Sequence, residues 1–99
     1  MTCNSVCLSG KLSSFDALRY SPAGIAIMEF RLIHASPQIE GGMRREIEFE
    51  IDGMAVAETA IRLSGLQKGN HVRAEGFLAR RGPKNRKIVF HINHFELIG

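Results

Sequence analysis

Two cysteines, one tyrosine and no tryptophan in 99 residues leave several functional classes with little to work with. Cys3 and Cys7 alone do not make a disulfide-stapled secreted scaffold, so the cytoplasm is the expected compartment. The longest apolar run, Gly24 to Met28, falls far short of the roughly 20 residues that cross a bilayer as a helix. No basic segment followed by an apolar stretch opens the chain, so neither a secretory signal nor a membrane segment is expected.

Catalytic and metal-binding constellations are equally scarce. His34, His71, His91 and His94 have no Ser or Cys nucleophile in a recognisable turn beside them. Gly41-Gly42 lacks both the spacing and the following helix of a phosphate loop. His91 and His94, three apart on a strand, point to opposite faces. Cys3 and Cys7, four apart, share a face but lie about 14 Å apart by strand rise. The paired ligand spacing of structural zinc sites is missing as well. An enzyme is not expected, nor is any metal or cofactor.

What is present is one domain's worth of ordinary globular composition, 44% hydrophobic and 23% charged. The charge is unevenly placed. Residues 1–79 carry eight basic and nine acidic side chains, whereas residues 80–87 hold Arg80, Arg81, Lys84, Arg86 and Lys87 with no acid. The formal net charge of +3 therefore describes a near-neutral chain with one strongly positive segment.

Period-2 alternation marks the strands. Val6, Leu8, Gly10 and Leu12 form the inward face of the first, with Gly10 suggesting a bulge. After a Ser21-Pro22-Ala23-Gly24 turn, Met28, Phe30 and Leu32 point inward on a second strand, and Glu29, Arg31 and Ile33 outward. Residues 36–42 read as a loop forming a mobile hairpin tip. Ile47, Phe49 and Ile51 then alternate with Glu46, Glu48 and Glu50. From Asp52, a plausible N-cap, Met54, Ala57, Ala60 and Ile61 follow helical spacing up to Ser64, with Gly65 as the closing glycine. Val72, Ala74, Gly76 and Leu78 face inward on a fourth strand, and residues 88–98 form a fifth.

Three strands, a helix and two strands match an all-β, five-stranded OB-fold barrel with one short helix between strands 3 and 4, spanning residues 1–99 as one domain. An SH3-like barrel is the alternative, but it does not call for a helix at that position. In an OB fold the loop between the last two strands flanks the ligand groove, which gives the run 80–87 a use along a phosphate backbone. A charge run alone equally describes a solvated hairpin tip. Tyr20, or Phe77 on the outward phase of its strand, is placed to stack a base. For Phe77 a dimer or partner contact is the preferred role.

The segments Leu18-Arg19-Tyr20-Ser21-Pro22-Ala23-Gly24-Ile25, Phe30-Arg31-Leu32-Ile33-His34, Glu75-Gly76-Phe77-Leu78 and Phe95-Glu96-Leu97-Ile98 resemble the primosomal replication protein N (PriB) family. That family is related to bacterial single-stranded DNA-binding proteins. The resemblance covers essentially the whole chain. It implies a homodimeric OB protein that binds single-stranded DNA and assists replication restart, with the PriA helicase as partner. DnaT and the single-stranded DNA-binding protein are further partners it implies. Arg19, Lys84 and Lys87 match basic positions of the family's DNA surface, and Arg80, Arg81 and Arg86 extend that patch by proximity. Tyr20, Arg31 and Arg44 complete the candidate nucleic-acid-binding set. Two departures stand out: Ala35 replaces a basic residue after the histidine, and Glu46, Glu48 and Glu50 occupy a face where a base-stacking aromatic is expected. Unless Arg31 or Arg44 pairs with them, these carboxylates repel phosphate. Weak DNA binding is therefore expected, and the alternatives are a primosomal protein-interaction scaffold or a short single-stranded DNA-binding protein.

Overall fold

A computed structural model describes residues 1–99. In chain order the elements are β1 (Val6–Phe15), β2 (Arg19–Tyr20), β3 (Ala26–Glu40), β4 (Met43–Val56), α1 (Ala57–Leu63), β5 (His71–Gly82) and β6 (Asn85–Leu97). The strands form one sheet in the order β1-β5-β6-β4-β3-β2, and β1 pairs with β3 as well, which closes the sheet into a barrel. Five long strands and one short helix make up the barrel, as expected of an OB fold. The two-residue β2, paired through Arg19–Ile27 and Tyr20–Ala26, was not expected. It shifts the numbering, so that the helix follows β4 in chain order; counted among the long strands alone, it still separates the third from the fourth.

Alternation in β1, β3 and β5 places Leu12, Met28, Phe30, Leu32, Val72 and Ala74 inside the barrel, where Phe90, Ile92 and Phe95 of β6 meet them. Helix α1 buries Ala60 and Leu63 against this core and packs on β3, β4 and β6. It is shorter than expected. Residues 52–56 continue β4, because Asp52 to Val56 pair in register with Arg31 to Ile27 of β3. Gly53 and Met54 also pair with Phe90 and His91 of β6. Asp52 is thus a strand residue and not a helix cap. Of the apolar positions assigned to the helix, Ile61 is exposed and Met54 lies on the strand.

The segment 36–42 ends in a hairpin turn, as expected, but residues 36–40 are paired strand and not loop. The β3–β4 ladder runs out to Glu40–Met43, and Gly41 and Gly42 close it with φ of 59° and 79°. Successive positive φ values suit a tight hairpin turn and are the reason two glycines sit there. Beyond Ile33, where β1 stops pairing with β3, this hairpin pairs only with itself. Its inner phase therefore leaves the barrel, which explains why Phe49, expected inside, is exposed and instead packs on His34 at 5.2 Å between ring centroids. The basic segment is ordered likewise. β5 and β6 remain paired to Gly82–Asn85, so Pro83 and Lys84 alone form the turn. No helix is long and apolar enough to cross a membrane.

Candidate nucleic-acid interface

Outward positions on β3, β4 and the β5–β6 hairpin converge on one charged groove. Glu29 and Asp52 lie at its centre, on neighbouring strands and both on the outward phase. Arg81 Nη1 donates to Glu29 Oε1 at 2.5 Å, and Arg19 Nη2 donates to Glu29 Oε2 at 2.8 Å. Lys87 Nζ lies 2.7 Å from Asp52 Oδ2, Arg31 Nε donates to Asp52 Oδ1 at 3.1 Å, and Arg81 Nη2 reaches Asp52 Oδ2 at 3.5 Å. Beside the two carboxylates opens a cavity of about 510 Å³ whose walls include Phe15, Phe30 and Asn85.

This network shapes the ionisation of its members. Hydrogen bonding from Arg81, then from Arg19, holds the Glu29 carboxyl below its ordinary range. Lys87 chiefly, with Arg31, does the same for Asp52 against the opposing effect of burial. In return the Glu29 carboxylate holds the Arg81 guanidinium above its ordinary range. Both acids are therefore fully ionised at neutral pH. The side chains of Glu29 and Asp52 keep only 19% and 11% of their exposure, less than any of the four cations around them.

Eight of the nine candidate residues thus fall into three groups. Arg19, Arg31, Arg81 and Lys87 meet around Glu29 and Asp52. Arg80, Lys84 and Arg86 stand on the same hairpin with no ion-pair partner, and are exposed. Tyr20 is exposed on β2 next to Arg19. Arg44 belongs to none of these. It pairs with Glu46 at 3.0 Å, eight residues along β4 from Asp52, roughly 26 Å away by strand rise. Arg31 also lies 3.7 Å from Glu50, so two of the three strand carboxylates have a cation beside them and Glu48 has none.

Sequence reasoning missed Glu29 and Asp52 as members of the site. Alternation places Glu29 outward beside Arg31, and Asp52 continues the phase of Glu46, Glu48 and Glu50. Extending that alternation by one step would have found it. The histidines and cysteines do other things: His91 stacks on Phe77, His94 lies 3.6 Å from Glu96, and both cysteines are free and exposed. No group of three or more His, Cys, Asp or Glu is arranged to hold a metal ion.

The groove thus gathers four cations around two carboxylates. Residues 4–94 match the model of a family described as another single-strand binding protein family. The replication restart protein PriB of Nitrosomonas europaea is 38% identical over 95 residues, covering 96% of this chain and 88% of that one. The chain belongs to the PriB family. The PriB of Bordetella pertussis is 30% identical over 96% of this chain and 89% of its own. Among solved structures, PriB from Ralstonia solanacearum superposes with a TM-score of 0.88 at 29% identity, covering 98% of this chain and all of that one. The single-stranded DNA-binding protein from Thermus aquaticus shares the fold, with a TM-score of 0.79 at 24% identity over 98% of this chain and half of that one. PriB proteins and their single-strand-binding relatives are binding proteins and not enzymes, and this chain is one of them.

Proposed function

We propose that this chain acts in the cytoplasm as a homodimeric, single-domain accessory of replication restart, binding single-stranded DNA and stimulating the PriA helicase at stalled forks. DnaT and the single-stranded DNA-binding protein are its further partners. Family membership supplies the restart role. The observation that carries DNA binding is the β5–β6 hairpin, whose Arg80, Lys84 and Arg86 stand exposed without an acidic partner while its Arg81 and Lys87 line the charged groove. Cations so placed neutralise phosphates and release counterions, which makes affinity fall with salt. Tyr20, exposed beside Arg19, adds a stacking surface.

The test is a salt titration of fluorescent oligodeoxythymidine binding by wild type and by an Arg80/Lys84/Arg86 alanine variant. Loss of three phosphate contacts should flatten the log–log salt slope by about 2, at ~0.7 per contact on single strands. Identical affinities and slopes would remove the hairpin from the site.

A second reading is a primosomal scaffold with little DNA binding of its own. It is favoured by the carboxylates that already occupy Arg81 and Lys87, and by the exposed Phe77. Helicase stimulation that survives neutralisation of the hairpin would select the scaffold.

A further inference from the structure

The four oxygens of Glu29 and Asp52 are already bonded as the oxygens of two phosphates would be. Glu29 receives Arg81 on one oxygen and Arg19 on the other. Asp52 receives Lys87 and Arg81 on one oxygen and Arg31 on the other. Arg81 bridges both carboxylates, 52 residues along the chain from Glu29 and 29 from Asp52. Arg19, Arg31, Arg81 and Lys87 are faced here by Glu29, Asp52 and Glu50, so the cluster presents little net positive charge. The cations nonetheless keep substantial exposure, with Arg19, Arg31 and Lys87 each about half exposed. Arg31, Arg81 and Lys87 line the cavity beside them.

We propose that Glu29 and Asp52 are internal stand-ins for DNA phosphate, which compete with the backbone of a bound single strand for Arg81 and Lys87 and so set how tightly the groove binds. This rests on the single-stranded DNA reading above. The physical case is that of two anions sharing one set of donors. A guanidinium bonded to a carboxylate at 2.5 Å has its best donor direction taken. A phosphate entering the groove must displace that carboxylate or bind the cation's remaining donors, and in either case the acid's charge stays in the groove and repels it. The hairpin's effective charge toward DNA is then close to that of Arg80, Lys84 and Arg86. Arg81 and Lys87 become full phosphate ligands only when the acids are neutral.

The competition predicts a gain of function. Glu29→Gln/Asp52→Asn keeps side-chain size and one acceptor oxygen on each side chain while deleting both charges. Binding of fluorescent oligodeoxythymidine is compared between 50 and 200 mM salt for wild type, this double variant, and Glu58→Gln, which removes a charge from α1 outside the groove. Two released cations should steepen the salt slope by about 1.4, so that the variant's advantage grows about sevenfold from the higher salt to the lower. Glu58→Gln should leave the slope where it was. If the double variant fails to fold, Asp52→Asn alone carries the same test at half the slope change.

Equal slopes for wild type and double variant, or weaker binding by the variant, would overturn the inference while leaving the DNA reading intact. Weaker binding would make the acids positioning residues that hold the hairpin for DNA. Failure of every chain to bind at any salt would overturn both. Binding by the variant alone would support the inference in its strongest form.

Discussion

Phe77 and His91 lie face to face across the β5–β6 ladder, ring centroids 5.1 Å apart and planes within 2° of parallel. They are direct register partners on the outside of the barrel, and Phe77 keeps 40% of its exposure. A flat aromatic pair held by two strands is rigid, and it is oriented with little loss of side-chain freedom on docking, which suits self-association. If the proposed homodimer forms through this pair, Phe77→Ala should weaken it by about 2 kcal/mol, the scale of an interface hot spot and roughly thirtyfold in dissociation constant. Folding should be nearly untouched. Light scattering over a dilution series reads the change, and an unaltered monomer–dimer midpoint would take Phe77 out of the interface.

Gly76 and Gly82 sit on the same strand and should respond oppositely to alanine. The ladder shifts register at Glu75/Gly76, which brings the His91 carbonyl up against the position a Cβ would fill. Because that obstacle is backbone, it cannot rotate away, and Gly76→Ala should cost about 2–3 kcal/mol as an overpacked site. For a chain of this size that lowers the melting temperature by about 10 °C or more. Nothing lies within 4 Å of a Cβ at Gly82, and its φ is not in the left-handed region. Gly82→Ala should leave melting unchanged or raise it slightly. Thermal melts of the two variants side by side decide the matter.

Tyr20 offers the candidate interface its exposed aromatic, retaining 61% of its accessible surface beside Arg19. Truncating a base-stacking side chain costs about 1–3 kcal/mol. Tyr20→Ala should therefore weaken oligonucleotide binding by roughly tenfold or more, with an unchanged salt slope because no phosphate contact is lost. Tyr20→Phe should restore most of the affinity. An alanine variant that binds like wild type would show that no base rests there.

The core was readable because side-chain alternation is a local property. Leu12, Met28, Phe30, Leu32, Val72 and Ala74 follow period 2 and are buried as that period demands. Local pattern misled where two periods overlap. Met54, Ala57, Ala60 and Ile61 fit helical spacing, yet Met54 is held on β4 by ladders to β3 and β6 that no short window contains. Ser36-Pro37 looked like loop chemistry, but the Gly41-Gly42 turn extends the ladder through it. At the site, the positive run 80–87 was visible as composition. Its division was not, since the ion pairs that separate Arg81 and Lys87 from Arg80, Lys84 and Arg86 join residues far apart in the chain.

The same ion pairs give the fold a specific weakness to acid. Glu29 and Asp52 have folded pKa values lowered by Arg81 and Lys87 respectively, relative to ordinary carboxyls near 4 in the unfolded chain. A lowered folded pKa means that the unfolded chain takes up the proton first. The stability these groups add is therefore complete above pH ~4–5 and is withdrawn as the pH falls through their folded pKa values. Wild type should melt at nearly constant temperature from pH 7 to 5 with respect to these two groups, then fall steeply below about pH 4. Glu29→Gln/Asp52→Asn should start from a lower melting temperature at pH 7 and lose less of it between pH 4 and 2. Melting curves across that range, at low and at high salt, measure the difference. Parallel acid decline in the two chains would mean that the groove's carboxylates do not contribute to the stability of the fold.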